Sequence, residues 1–152
     1  MSIQLNHTIV RCNNKQLSAS FLTHILGLPE PKRFGPFLVV ALSNGVSLDF
    51  KEKEGPITSQ HYAFLIGEDE FDHVFDRIRV CGIEYWADPG KEHPETINHG
   101  DGGRGMYFED PNGHLLEVLT RPYGSGSWSF VEICCDALAT LVPHIVRRFS
   151  AN

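Results

Sequence analysis

Four side chains able to hold a divalent metal recur at related places in this chain: His7 and His61, and the carboxylates Asp49 and Glu117. Imidazole nitrogen and carboxylate oxygen suit an ion of borderline hardness, Zn, Ni, Fe, Co or Mn. Two histidines and one carboxylate leave coordination positions open for substrate or water. Glu117 is the most telling of the four. It lies in Leu115-Leu116-Glu117-Val118-Leu119, apolar on both sides, and a carboxylate taken out of water needs a partner. A structural ion pair would satisfy it, but its place opposite two repeat-related histidines points to a metal.

The elements around these residues repeat. Leu5–Cys12 alternates as a strand and carries His7; Gln16–Leu26 has helical spacing, with Asn13 or Asn14 as N-cap and Gly27 as its stop. A short strand is expected within Leu28–Phe34, then Phe37–Leu42, a Ser43-Asn44-Gly45 turn and Val46–Lys51, which carries Asp49. The order then restarts with strand His61–Ile66, helix Glu68–Val80 ending at Gly82, and strands Ile83–Ala87, Gly105–Glu109 and His114–Thr120. His61 follows His7 by 54 residues, Gly82 follows Gly27 by 55, and Gly113 follows Gly45 by 68, which lays Glu117 over Asp49. The jump places an insertion of about thirteen residues in the Gly/Pro/His-rich stretch Pro89–Gly103. Two such units are each too small to bury a core alone, so they should share one. The expected fold is α+β, two βαβββ modules over about 3–54 and 58–122 within a body of 1–124. A linker and helical tail over 125–152 follow, with an apolar helical face in Phe130–Phe149. Alternate strand residues share a face, so a pseudo-two-fold between modules would bring both imidazoles and both carboxylates together at the centre of a curved sheet.

Composition bounds the function classes. With 41% hydrophobic and 21% charged residues over 152 positions, the chain reads as globular. A net charge of −6 without a basic stripe argues against nucleic acid. No apolar run approaches the ~18 residues that span a bilayer, and the first residues lack a signal-peptide pattern, so a cytoplasmic protein with no membrane partner is expected. Cys12, Cys81, Cys134 and Cys135 form no CxxC pair and read as reduced, small apolar side chains.

Further candidates sit near the ligand strands. Arg104, in the Gly-rich Asn98–Gly105 stretch with His99 and Asp101, could meet an anionic substrate from a mobile lid; a polar loop is the alternative. Tyr85, Trp86 and Tyr107 lie on strands where half the positions face the cavity and are candidates for the substrate wall, with core packing as the alternative. His114 alternates away from Glu117 and is expected at the surface.

Leu5-Asn6-His7, Gln60-His61-Tyr62-Ala63-Phe64 and Phe108-Glu109-Asp110-Pro111-Asn112-Gly113-His114-Leu115-Leu116-Glu117 resemble the vicinal oxygen chelate superfamily over about residues 3–124. That superfamily includes glyoxalase I, fosfomycin-resistance thiol transferases, extradiol dioxygenases, methylmalonyl-CoA epimerase and bleomycin-binding proteins. The resemblance implies a cup-shaped mixed sheet, one divalent metal per site on His7, His61 and Glu117, and Asp49 at the position glyoxalase I fills with Glu. It also implies a homodimer, since members of this length pair modules across two copies. Ile9 stands where the fosfomycin transferases carry Thr, which argues against their activity. The expected function is a glyoxalase-like lyase or isomerase. Its metal takes two adjacent oxygens of a small-molecule substrate while Glu117 or Asp49 moves a proton. An Fe(II) extradiol-type dioxygenase and a bleomycin-resistance-type sequestering protein are the alternatives.

Overall fold

The computed structural model describes residues 2–126. Its elements run β1 (His7–Cys12), α1 (Lys15–Leu26), β2 (Lys32–Phe34), β3 (Phe37–Ala41), β4 (Ser47–Glu52), β5 (His61–Leu65), α2 (Glu68–Val80), β6 (Tyr85–Trp86), β7 (Gly105–Glu109) and β8 (Leu115–Leu119). Two four-stranded sheets result, ordered β1-β4-β3-β2 and β5-β8-β7-β6. In each the first and last strands of the module pair in parallel and the rest antiparallel. The fold is two βαβββ modules, as the repeat required. Even the register repeats: His7 lies opposite Ser47 in one sheet and His61 opposite Leu115 in the other.

Local chemistry sets the element ends. Asn14 caps α1, its side chain accepting from the Leu17 amide at 2.9 Å. Gly27 closes the helix in the left-handed conformation, φ 68°. The strand expected over Ile83–Ala87 shrinks to Tyr85–Trp86, and that expected within Leu28–Phe34 to Lys32–Phe34. Both are edge strands with one partner, so their pairing stops where that neighbour does.

The modules share one core. Val10, Leu48 and Phe50 of the first sheet, Phe64, Leu116, Val118 and Phe108 of the second, and the apolar faces of both helices form a single buried cluster. Arg77 of α2 donates to the Ile25 carbonyl of α1 at 3.0 Å, satisfying an end carbonyl that the helix cannot. The Asp110–Gly113 turn is a joint between modules. Asn112 accepts from the Asn13 amide and donates to Ser18.

His114 corrects an expectation. It does alternate away from Glu117, but into the core rather than solvent, and is 1% exposed. Its Nε2 donates to the Arg11 carbonyl at 2.7 Å and its Nδ1 accepts from the Gln60 amide at 3.1 Å, so a neutral imidazole ties β1 to the start of β5. Cys12 is buried and free as expected, whereas Cys81 is exposed. Phe130–Phe149, Cys134 and Cys135 lie outside the described residues. Among the described residues, no helix is long and apolar enough to cross a membrane.

Candidate metal centre

Cross-strand pairing defines one face of each sheet. Ala63, Glu117, Tyr107 and Trp86 lie in a row across the second sheet. Ile9, Asp49, Val39 and Lys32 form the equivalent row across the first. Both rows face away from the shared core, whose members are the alternate residues of the same strands.

The second sheet holds the tighter half of the site. Glu117 is 1% exposed, and its Oε2 lies 3.2 Å from His61 Nε2. His61 Nδ1 donates to the Leu115 carbonyl at 3.1 Å, so in the neutral ring the lone pair is on Nε2, the nitrogen beside the carboxylate. Close as the two atoms are, the contact lacks hydrogen-bond geometry, and Oε2 is, among the described residues, the buried side-chain polar atom left without a partner. Two electron-pair donors this close can share a cation between them. Two ligands each about 2.0–2.2 Å from one ion are separated by roughly 3.0–3.5 Å. The donor set and its spacing therefore fit a divalent metal.

Tyrosines complete this half. Tyr107, 6% exposed, stacks on the His61 ring with centroids 6.0 Å apart. Its hydroxyl lies 2.6 Å from that of Tyr123, and Tyr123 donates to Glu117 Oε1. Burial first, then the tyrosine–tyrosine bond, pushes Tyr107 well above the ordinary phenol range. Burial and the Glu117 contact raise Tyr123 too, so both hydroxyls stay protonated at neutral pH. Sequence reasoning missed Tyr123, which sits in the Pro/Gly/Ser stretch after β8. Of the Tyr85-Trp86 pair, it is Trp86 that the sheet register places on the site face beside Tyr107.

The first sheet holds the open half. His7 is exposed, with Nδ1 bonded to the Asn6 side chain at 2.8 Å. Asp49 accepts from Ser47 at 2.8 Å. Both line a groove of about 570 Å³ with Lys32, Phe34 and Phe37. Among the described residues, no three His, Cys, Asp or Glu side chains lie close enough to hold a metal. The structure thus brings His61 to Glu117 but does not bring His7 or Asp49 to them within one chain. The physical reason is the shared core: packing the helix-covered faces together turns the two ligand faces apart.

Two other candidates fall away from this centre. Arg104 directs its guanidinium to Glu68 at 2.7 Å, to Asp72 and to the Glu68 carbonyl, and lies over the Phe71 ring. Tyr85 pairs with Phe108 on the core face, meets Phe75 edge-on and donates to the Glu95 carbonyl. Nor is Asn98–Gly105 a free lid. Asn98 and Gly105 exchange backbone hydrogen bonds, and Asp101 accepts from the Gly124 and Gly126 amides.

Paired βαβββ units with histidine and carboxylate on matching strands define a class of metal-site proteins. Residues 4–118 match the Glyoxalase/Bleomycin resistance protein/Dioxygenase superfamily, and the chain belongs to that superfamily. Among solved structures it is similar to the oxidase ChaP-H2, with 61% identity and a TM-score of 0.81 over 84% of this chain and 100% of that one. Among curated proteins it is similar to the glutathione transferase FosA of Serratia marcescens, 28% identical over 75% of this chain and 78% of the relative. A variant of the fosfomycin resistance protein FosX from Listeria monocytogenes shares the fold at 21% identity and a TM-score of 0.61, over 80% of this chain and 95% of that one. That structure contains Mn(II), and a divalent metal is a cofactor found in this superfamily.

Proposed function

We propose that this protein is a metal-dependent oxidase acting on a small molecule with neighbouring oxygens. Its metal is held by His61 and Glu117 of one copy and His7 of a second. The observation that carries the reading is the partnerless, buried Glu117 Oε2 lying 3.2 Å from His61 Nε2. The likeness to an oxidase across that protein's whole length favours redox chemistry over the lyase or isomerase expected from sequence.

Edge-strand geometry supports a homodimer. β1 and β5 are edge strands, and His7 and His61 are the first residues of each. Ile9 and Leu65 on these strands are exposed apolar residues, at 37% and 60%. Setting β1 of one copy beside β5 of another covers both edges and brings His7 to His61 and Glu117, twice by symmetry.

A redox-active divalent ion bound there would supply a Lewis acid for adjacent substrate oxygens and a path for electrons from the substrate, which is oxidised, to dioxygen, the oxidant this reading requires. The chain's own residues do the rest. Glu117 and the two imidazoles form a two-histidine, one-carboxylate face. Asp49, on the open groove, is placed to take a proton from a substrate hydroxyl, and Lys32 in the same row offers a charge to the anion formed. Tyr107 stacks beside His61 and serves as a wall for bound substrate.

Metal analysis and an oxygen electrode test this. One ion per chain, lost in His61→Ala, with oxygen uptake on catechol-type or hydroxyketone substrates, is expected. Turnover of such substrates without oxygen uptake favours the glyoxalase-like lyase or isomerase, for which Asp49 would serve as the proton carrier. Purified protein without metal refutes both and leaves a sequestering protein.

A further inference from the structure

We propose that Tyr123 and Asp101 are positioning residues that hold Glu117 so that only its Oε2 reaches the metal; this rests on the metal reading above. The carboxylate has two oxygens in different surroundings. Oε1 accepts the Tyr123 hydroxyl, while Oε2 is partnerless and faces His61. Tyr123 has one hydroxyl proton, and Glu117 takes it. Tyr107 must then donate to the Tyr123 oxygen, and the chain of hydrogen bonds runs Tyr107 to Tyr123 to Glu117. With Oε1 tied, turning the carboxylate to bind an ion through both oxygens would strain that bond. The arrangement leaves one more coordination position for substrate or oxidant than a two-oxygen carboxylate would.

Tyr123 needs its own support, because it follows β8 in a short turn closed by the Ser125 amide and the Pro122 carbonyl. Asp101 supplies it from the insertion. Its two carboxylate oxygens accept the Gly124 and Gly126 amides, each at 3.1 Å. Asp101 does this from the left-handed region, φ 55°, which is uncommon for a non-glycine residue. A Cβ on Gly126 would lie 2.8 Å from Asp101 Oδ1 and 2.9 Å from its Cα, so the turn is built for close approach. The insertion that the second module carries and the first lacks thus braces the carboxylate Glu117.

The test measures Mn(II) affinity and the Mn(II) electron paramagnetic resonance spectrum of the full chain and its variants, with circular dichroism to confirm folding. Y123F should weaken Mn(II) by about 10- to 100-fold, the usual range for losing a hydrogen bond to a ligand, and change the spectrum. D101A should act in the same direction, with the double variant no weaker than Y123F, because both work through one hydroxyl. Gly126→Ala presses on the same contact and repeats the D101A result should D101A fold poorly. Wild-type affinity and spectrum in Y123F overturn the proposal. If H61A still abolishes binding in that case, the metal reading survives it. Additive losses in the double variant overturn the part assigned to Asp101. Wild-type protein that takes no Mn(II), Fe(II) or Zn(II) overturns both readings.

Discussion

At the scale of single residues, Glu117 behaves unlike a structural acid. A structural carboxylate inside a protein has both oxygens bonded; here one is bonded and the other faces a second acceptor. Glu117→Gln keeps the shape and an acceptor for Tyr123 while removing the charge. It should weaken metal binding by at least about 100-fold. Without metal the variant should melt no lower than wild type, and higher if relief of the buried acceptor contributes the usual ~1–3 kcal/mol. Metal titration with paired thermal melts checks this; a strongly destabilised metal-free variant would mean a structural acid. His7, Asp49, His61 and Glu117 were legible because repetition marks them twice, each at the same place in a module. Tyr123 was not, since it belongs to no period and acts only after β8 has turned back. His114 was misread because a residue after an Asp-Pro-Asn-Gly turn normally lies in solvent, and here that turn is docked on the other module.

At the scale of elements, the sequence foretold both helices, the two hairpins and the module order, because hydrophobic period and turn chemistry are local. Arg104 shows where locality ends. Its Gly-rich flanks suggest a mobile anion site, yet α2 brings Glu68 and Asp72 within reach, and the arginine fastens the start of β7 to that helix. The Thr120 hydroxyl and Arg104 lower Glu68, and Arg104 lowers Asp72. Carboxylates depressed in the folded state stabilise it above their unfolded values, about 4, and lose that contribution as pH falls through the folded ones. Arg104→Met should therefore be less stable than wild type near neutral pH. The gap should close below the carboxylate range and shrink with added salt, because both acids are exposed. Urea titrations across pH and salt measure it; a gap independent of both would place the arginine's role in its packing over Phe71.

At the scale of the whole molecule, alternation along the strands shows which residues share a face but not which face meets which module. The sequence reading put all four ligand candidates at one centre, with the modules around it paired within one chain or across two copies. The structure instead joins the modules through their helix-covered faces and leaves two half-sites, one with His61 and Glu117 and one with His7 and Asp49. The most direct test of a metal shared between copies is complementation between two inactive chains. His7→Ala and His61→Ala should each bind no metal alone. Mixed, unfolded and refolded together, they should recover metal in about a quarter of the sites, because half of the dimers are mixed and each mixed dimer has one intact site. No recovery from the mixture, or full metal binding by His7→Ala alone, would contradict a centre built from His7 of one copy and His61 and Glu117 of another.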